Sequence, residues 1–248
     1  MSVLVVSGTG TGIGKTVVTA AVAALARGRG DSVAVVKPAQ TGVRPGQPGD
    51  LDEVRRLAGV TDLHELARYV DPLSPAAAAR LEDLPPLDLT AATRTLRPAD
   101  RGMLIVEGAG GLLVRYDEAG ATLADLARDL AAPVLVVVRS GLGTLNHTAL
   151  TLEVMAHRGL DLAGVVIGSW PVRPGLDDLC NVRDLETLAA RPLSGALPER
   201  SGRLAAPEFL LAARAGLAPR LGGVFDAAAF RDDCRGRVEA YRTLPATP

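Results

Sequence analysis

The chain has 248 residues, of which 48% are hydrophobic and 22% charged, with a formal net charge of −1 and a pI near 6.3. That length suits one domain or a tight pair with a sizeable core, and the composition excludes a disordered chain. The near-neutral balance argues against nucleic acid or anionic lipid as a partner, and no apolar run approaches the ~20 residues of a membrane span.

The N-terminal MSVLVVSG lacks a basic leader and meets glycine after a short apolar run, so Val3–Ser7 reads as a first strand rather than a signal peptide. Gly8 opens a glycine-rich turn into a helix over Lys15–Arg27. A second strand, Val33–Lys37, gives way to the Pro/Gly-rich loop Val43–Gly49 and a helix over Leu51–Leu57. Prolines break up Asp71–Pro86, and a helix follows over Leu89–Leu96. Strands at Met103–Val106, Val134–Arg139 and Gly164–Gly168 alternate with helices at Leu123–Leu130, Thr144–His157 and Leu179–Ala190. A weaker strand signal sits at Leu193–Leu197. His64 and His157 read as surface residues of helix-like segments. The last fifty residues are Ala/Arg-rich, with amphipathic patterns over Phe209–Gly216 and Ala227–Tyr241 and an LPATP tail.

Most of these strands are continuously apolar, which suits parallel strands covered on both faces. Strands alternating with helices predict an α/β fold: a doubly wound, mostly parallel sheet in one domain over 1–248. Such sheets bind ligands beyond the carboxyl ends of their strands. Aromatics are only 3%, so Ala, Val, Leu and Ile must build the core. Cys180 and Cys234 are too few for a disulfide framework or a zinc site, and a cytoplasmic setting is the default.

Lys15 and Lys37 are the only lysines; the other 25 of 27 basic residues are arginine. Arginine is a rigid fork that stays protonated, whereas lysine is a compact charge on a flexible stem. Two retained lysines mark positions that need an ammonium.

Two readings compete for Gly8-Thr-Gly-Thr-Gly-Ile-Gly-Lys15-Thr16. In a phosphate-binding loop, backbone N–H groups at a helix N-terminus face phosphate oxygens, Lys15 reaches the β/γ-phosphates and the Thr16 hydroxyl ligates Mg²⁺. The spacing is G-x5-G-K-T, one residue longer than the usual G-x4-G-K-[ST]. The alternative is the T-G-x-x-x-G-I-G turn of short-chain dehydrogenases. That chemistry needs Tyr-x-x-x-Lys, and none of Tyr69, Tyr116 and Tyr241 has Lys four residues on. The second strand also ends at Lys37 rather than at an acid for an NAD ribose. The phosphate loop is the stronger reading.

Lys37 closes the second strand in VAVVKPAQTG, with Pro38 ending the ladder and Gln40 and Thr41 offering polar contacts. Met103–Val106 runs into Glu107 and then Gly108-Ala109-Gly110-Gly111; an acid there resembles a Walker-B position that holds nucleotide-bound Mg²⁺. Asp50 either ligates metal or, with Glu53, starts a helix. Gly143-Thr144-Leu145-Asn146 enters a helix whose free N–H groups suit a carboxylate, or Thr144 or Ser140 simply caps it.

Taken in order, GTGTGIGKT, KPAQTG, VEGAGG and LGTLNHT resemble the dethiobiotin synthetases of the biotin pathway, P-loop ATPases that form homodimers. The likeness continues through VVIGSWP to ALPE and fades over the last forty residues. It implies ATP- and Mg²⁺-dependent ring closure of 7,8-diaminopelargonate with CO₂. By position, Lys37 and Lys15 resemble the catalytic lysines and Thr41 a substrate contact. Thr16, Asp50 and Glu107 resemble the Mg²⁺ set, with Asp52 as a fallback for Asp50. The nucleotide set by resemblance is Thr11–Val17 (Thr11, Gly12, Ile13, Gly14, Lys15, Thr16, Val17), Asp50, Glu107, Gly108, Ala109 and Gly110, with Gly168, Ser169, Ala196, Leu197 and Pro198 near adenine. Gly143–Asn146 resemble the segment that receives the substrate carboxylate across the dimer interface. Two departures stand out. Gly168-Ser169 replaces an Asn-Asp common in the family, which predicts weaker discrimination among nucleoside triphosphates. Gly12 stands where an acid is common. The rivals are a ParA/MinD-like ATPase, which carries an extra early lysine where this chain has Gly10 or Thr11, and a cobyrinate-type amide synthetase, whose glutaminase domain does not fit in 248 residues.

Overall fold

The computed structural model describes residues 2–95 and 102–243. The predicted helix end at Leu96 and the LPATP tail from Leu244 to Pro248 lie outside the described residues. Seven parallel strands form one sheet: β1 (Ser2–Gly8), β2 (Val33–Gln40), β3 (Asp62–Arg68), β4 (Met103–Glu107), β5 (Val134–Val138), β6 (Leu162–Trp170) and β7 (Gly195–Pro198), in the order β3-β2-β4-β1-β5-β6-β7. The helices are α1 (Lys15–Gly28), α2 (Asp50–Ala58), α3 (Pro75–Leu81), α4 (Leu89–Thr95), α5 (Leu123–Asp129), α6 (Thr144–His157), α7 (Leu176–Ala189), α8 (Ala206–Gly216) and α9 (Ala227–Thr243).

The strands read as unbroken apolar runs because both faces are covered. Leu4, Val6, Val35, Ile105, Leu135 and Val137 pack with Val18, Val22, Leu57 and Phe209 of α1, α2 and α8. Their alternates Val5, Val36, Leu104, Val106 and Val136 face Ala78, Leu123, Leu126, Met155 and Leu185 of α3, α5, α6 and α7. Cys234 of α9 joins this second layer. With 3% aromatics, the core is aliphatic, and the alanines of α1 let that helix lie close to the sheet.

The predicted α/β class holds, with three local corrections. His64 lies on β3, an edge strand whose DLHELAR sequence favours helix locally but pairs in register with β2 from Ala34↔Asp62 to Gln40↔Arg68. Tertiary pairing outweighs local propensity there. Pro75 does not break the 71–86 stretch; it occupies the first turn of α3, where its missing N–H costs nothing. Pro38 does not end β2 either. Beyond Val36 that strand pairs with β3 alone and continues to Gln40.

Candidate active site

The chain runs from β1 across to β2 and β3, then returns to place β4 between them. Three adjacent strands, β2, β4 and β1, therefore deliver Lys37, Glu107 and the glycine-rich loop to one end of the sheet. In doubly wound folds that end holds the ligand crevice. β4 pairs with both β1 and β2, so Glu107 comes to the same end of the sheet as the strands that carry the loop and Lys37.

A cleft of about 700 Å³ opens there. It is lined by Thr11, Gly12, Gly14, Lys15, Thr16, Lys37, Thr41, Asp50, Glu107, Ala109 and Gly110, all named from sequence. Glu107 is fully buried. Its Oε1 accepts from Lys37 Nζ at 2.8 Å and from Thr16 Oγ1 at 2.8 Å. Lys37, 3% exposed, also lies 2.5 Å from Asp50 Oδ2 and donates to the Gly108 carbonyl at 3.2 Å. Burial opposes the Lys37 charge, but Glu107 and Asp50 outweigh it and raise the pKa above its ordinary value. Lys15 goes the other way. Burial, reinforced by the nearby Lys37 charge and only partly countered by Glu107 and Asp50, lowers its pKa to about 8. Its Nζ donates to the Gly10 carbonyl at 2.6 Å, folding the side chain back over its own loop.

Among the described residues that line the cleft, one buried side-chain polar atom is left over. Glu107 Oε2 is buried with no hydrogen-bond partner. An unsatisfied buried carboxylate oxygen is costly and calls for a cation or donor. Thr16 donates to that carboxylate, and Asp50 shares Lys37 with it on the wall of the same cleft, so the three residues supply an oxygen set that fits a divalent ion. Among the described residues no group of three His, Cys, Asp or Glu side chains forms a metal cage. Two carboxylates and a hydroxyl match the donor chemistry of Mg²⁺, which takes oxygen ligands and shares itself with substrate phosphates.

Asp50 is free for this role because other residues start its helix. Asp52 Oδ2 accepts the Gly49 N–H at 2.8 Å, and Glu53 pairs with Arg56. The predicted Asp50/Glu53 start thus shifts to Gly49/Asp52. Ser140 and Thr144 do not cap α6 either: Thr144 Oγ1 donates to the Arg139 carbonyl, and no side chain accepts at Gly143.

Several named residues lie outside the cleft. Ile13 is buried in the core, and Val17 is half-buried beside Gly202. Gly168 lies against the loop: a Cβ there would collide with the Ile13 carbonyl and come within 2.7 Å of Val137. Gly14, with φ of 94°, lies equally close to Gly168, where a Cβ would meet its carbonyl oxygen at 2.6 Å. Ser169 and Pro198 are exposed, whereas Ala196 and Leu197 are buried, Leu197 within the core. Gly143, Thr144, Leu145 and Asn146 begin α6, away from the cleft lining, with Asn146 exposed.

Residues 2–203 match the family model described as "AAA domain". A curated "ATP-dependent dethiobiotin synthetase BioD" from Parafrankia sp. (strain EAN1pec) is 66% identical over 234 residues, covering 93% of this chain and 98% of its own length. The same-named proteins of Frankia casuarinae and Streptomyces avermitilis are 65% and 55% identical over 233 residues, each with 93% of this chain and 98% of the relative covered. The chain belongs to the dethiobiotin synthetase family. It is therefore an ATP-dependent ligase, and ATP is its co-substrate. Solved structures of a MinC:MinD cell division protein complex and of the septum site-determining protein MinD share the fold alone. Those from Aquifex aeolicus and Pyrococcus horikoshii align with TM-scores of 0.51 and 0.50 at 15% and 16% identity, covering 100% and 97% of this chain and 99% and 97% of theirs. The likeness to MinD stops at the fold, and sequence kinship lies with the synthetases.

Sequence reasoning missed part of the synthetase cleft. Pro72, Leu73, Ser74 and Pro75 form one wall with Val114. Only the proline-broken stretch hinted at them. Tyr116, fully buried, accepts the Ala109 N–H at 2.8 Å and so braces the glycine turn after Glu107. Its burial raises the phenol pKa, keeping it neutral. Arg139, at the end of β5, donates to the Thr11 carbonyl at 3.1 Å. No motif announces either contact.

Proposed function

We propose that the chain closes the urea ring of dethiobiotin from 7,8-diaminopelargonate and CO₂, acting as one P-loop ATPase unit over 1–248 in the cytoplasm. One amine of the substrate adds to CO₂ and loses a proton, giving a carbamate. A carbamate oxygen attacks the γ-phosphorus of ATP and ADP leaves. The second amine then attacks the carbonyl of the mixed anhydride, closing the ring and releasing phosphate. Two anions must meet in the second step, so the site must supply cations. Lys15 and Lys37 occupy the same cleft and supply them. That convergence carries the reading.

Lys15 serves the phosphates, with backbone N–H groups of Thr11–Thr16 around them. Lys37, kept charged by Glu107 and Asp50, serves the carbamate and the transferring group. Thr16, Asp50 and Glu107 would hold Mg²⁺, whose chemistry when bound is to neutralise developing phosphoryl charge. Thr41 faces the substrate from the cleft wall. Gly168, Ser169 and Ala196–Pro198 lie where the base would rest. Purified protein given ATP, Mg²⁺, labelled bicarbonate and diaminopelargonate is expected to yield a labelled cyclic urea. ATP hydrolysis without labelled product would refute the assignment.

The substrate carboxylate would be received by Gly143–Asn146 of a second copy. The α6 region suits such pairing: Leu142 is 92% exposed, and Leu113 and Leu150 flank a groove with Val154. Leu150→Glu is expected to convert a dimer to monomer in sedimentation, with loss of turnover. A monomeric parent protein would refute this arrangement.

A further inference from the structure

Asp50 sits at the start of α2, after a Pro/Gly-rich loop with no regular structure, yet its carboxylate meets Lys37 at 2.5 Å. Something must hold that loop to ångström precision. Gln40, the last residue of β2 and 5% exposed, does so from one side. Its Oε1 accepts the Asp50 N–H at 2.8 Å, and its Nε2 donates to the Thr41 carbonyl at 3.2 Å. A helix start leaves its first N–H groups without partners, and a polar side chain at the cap usually accepts one. Gly49 has no such side chain, so Gln40 supplies the acceptor from ten residues upstream.

Arg68 holds the loop from the other side. It pairs in register with Gln40 across β2 and β3. Its guanidinium donates to the Gln47 carbonyl at 2.9 Å and the Arg44 carbonyl at 3.3 Å. Glu65 fixes it with two bonds, 2.6 and 2.9 Å, the bidentate arrangement that orients an arginine. Both side chains crowd Gly49: a Cβ there would lie 2.9 Å from Gln40 Oε1 and 3.0 Å from Arg68 Nη2.

We infer that Gln40 and Arg68, the latter braced by Glu65, are positioning residues that set the Asp50 carboxylate against Lys37 and the divalent-ion side of the site. Gln40 lines the cleft, but the main chain engages both of its amide atoms, and Arg68 lies outside the lining. The inference rests on Asp50 being an ion ligand, as proposed above.

The test compares Gln40→Leu, Gln40→Glu, Arg68→Met and Asp50→Asn with the parent protein. Mn²⁺ affinity is measured by calorimetry in the presence of ADP, and amide hydrogen exchange is followed over residues 42–52. Supporting partners of ion ligands typically contribute about 10–100-fold to affinity. Gln40→Leu and Arg68→Met are expected to weaken Mn²⁺ by roughly tenfold or more and to speed exchange over 42–52. ADP affinity without metal should stay as in the parent, which separates positioning from general loss of structure. Gln40→Glu keeps an acceptor for the Asp50 N–H and is expected to restore slow exchange over that segment. Parent-like Mn²⁺ affinity in Gln40→Leu and Arg68→Met, alongside a loss in Asp50→Asn, overturns the inference and leaves the role of Asp50 intact. Parent-like affinity in Asp50→Asn removes that role and the inference with it.

Discussion

Two loops meet over the cleft and are held by different means. The loop after β1 is braced by main chain: Gly14 and Gly168 touch backbone to backbone, and Arg139 adds one bond to the Thr11 carbonyl. The loop after β2 is braced by side chains, through Gln40 and Arg68. Main-chain bracing needs glycines at fixed places, so it shows in the sequence and fails when a Cβ is added. Side-chain bracing leaves the loop free to vary and fails when one distant polar group is lost. The first arrangement suits a phosphate cradle. The second suits a carboxylate that must be aimed.

The largest effect is expected where the two loops share a charge. Lys37→Gln should cost turnover at least ~10²-fold, as loss of a transition-state donor does, while nucleotide binding persists. It also removes the ammonium that bridges the buried Glu107 and Asp50, and loss of one partner of a buried pair costs about 3–5 kcal/mol. Melting should therefore fall, and Mg²⁺ with ADP should stabilise the variant more than the parent. A variant that melts and turns over normally would show that Lys37 holds neither loop's chemistry.

Gly168 tests the main-chain side. Gly168→Ala must displace Ile13 or Val137, and such overpacking costs about 1–3 kcal/mol. Calorimetry should show weaker ATP binding with hydrogen exchange over 42–52 unchanged. In the parent, the absence of a side-chain amide at 168 predicts similar single-turnover rates with ATP and CTP; a large preference for ATP would contradict it.

The smallest effect is that of pH. Lys15 titrates near 8 in the folded chain against 10.5 ordinarily. Phosphate favours the charged form, so nucleotide affinity should fall as pH rises through 8, by at most about tenfold per unit. Protons should be taken up on binding, measurable by calorimetry in buffers of different ionisation enthalpy. The same depressed pKa makes the unfolded chain hold more protons between 8 and 10.5. The cost of keeping Lys15 charged in the fold is thus full below pH 8 and relieved as pH climbs to 10.5. Affinity that does not change across pH 8 would place the lysine outside the phosphate site.

Much of this molecule is legible in its sequence. Buried parallel strands are continuous apolar runs, and the acid and lysines at their ends carry position with them. Where legibility fails, the cause is tertiary. The segment 62–68 has helix-forming residues and becomes a strand only through its register with β2. Gln40 and Arg68 are 28 residues apart, and only the β2–β3 pairing sets them on either side of Gly49. Tyr116 reaches Ala109 through a turn whose path no local pattern fixes. Strand order is equally silent: nothing in the order of motifs says that β4 slips between β1 and β2.

The scarcity of lysine has a consequence for chemical labelling. Both side-chain primary amines of the chain lie in one cleft, at 7% and 3% exposure, while the surface carries guanidinium groups instead. Guanidinium is inert toward ordinary acylating reagents at neutral pH because it stays protonated. The α-amino group aside, an amine-directed dye or crosslinker has nowhere else on the protein to react, and its rate of attachment becomes a direct gauge of whether the cleft is open, filled or unfolded.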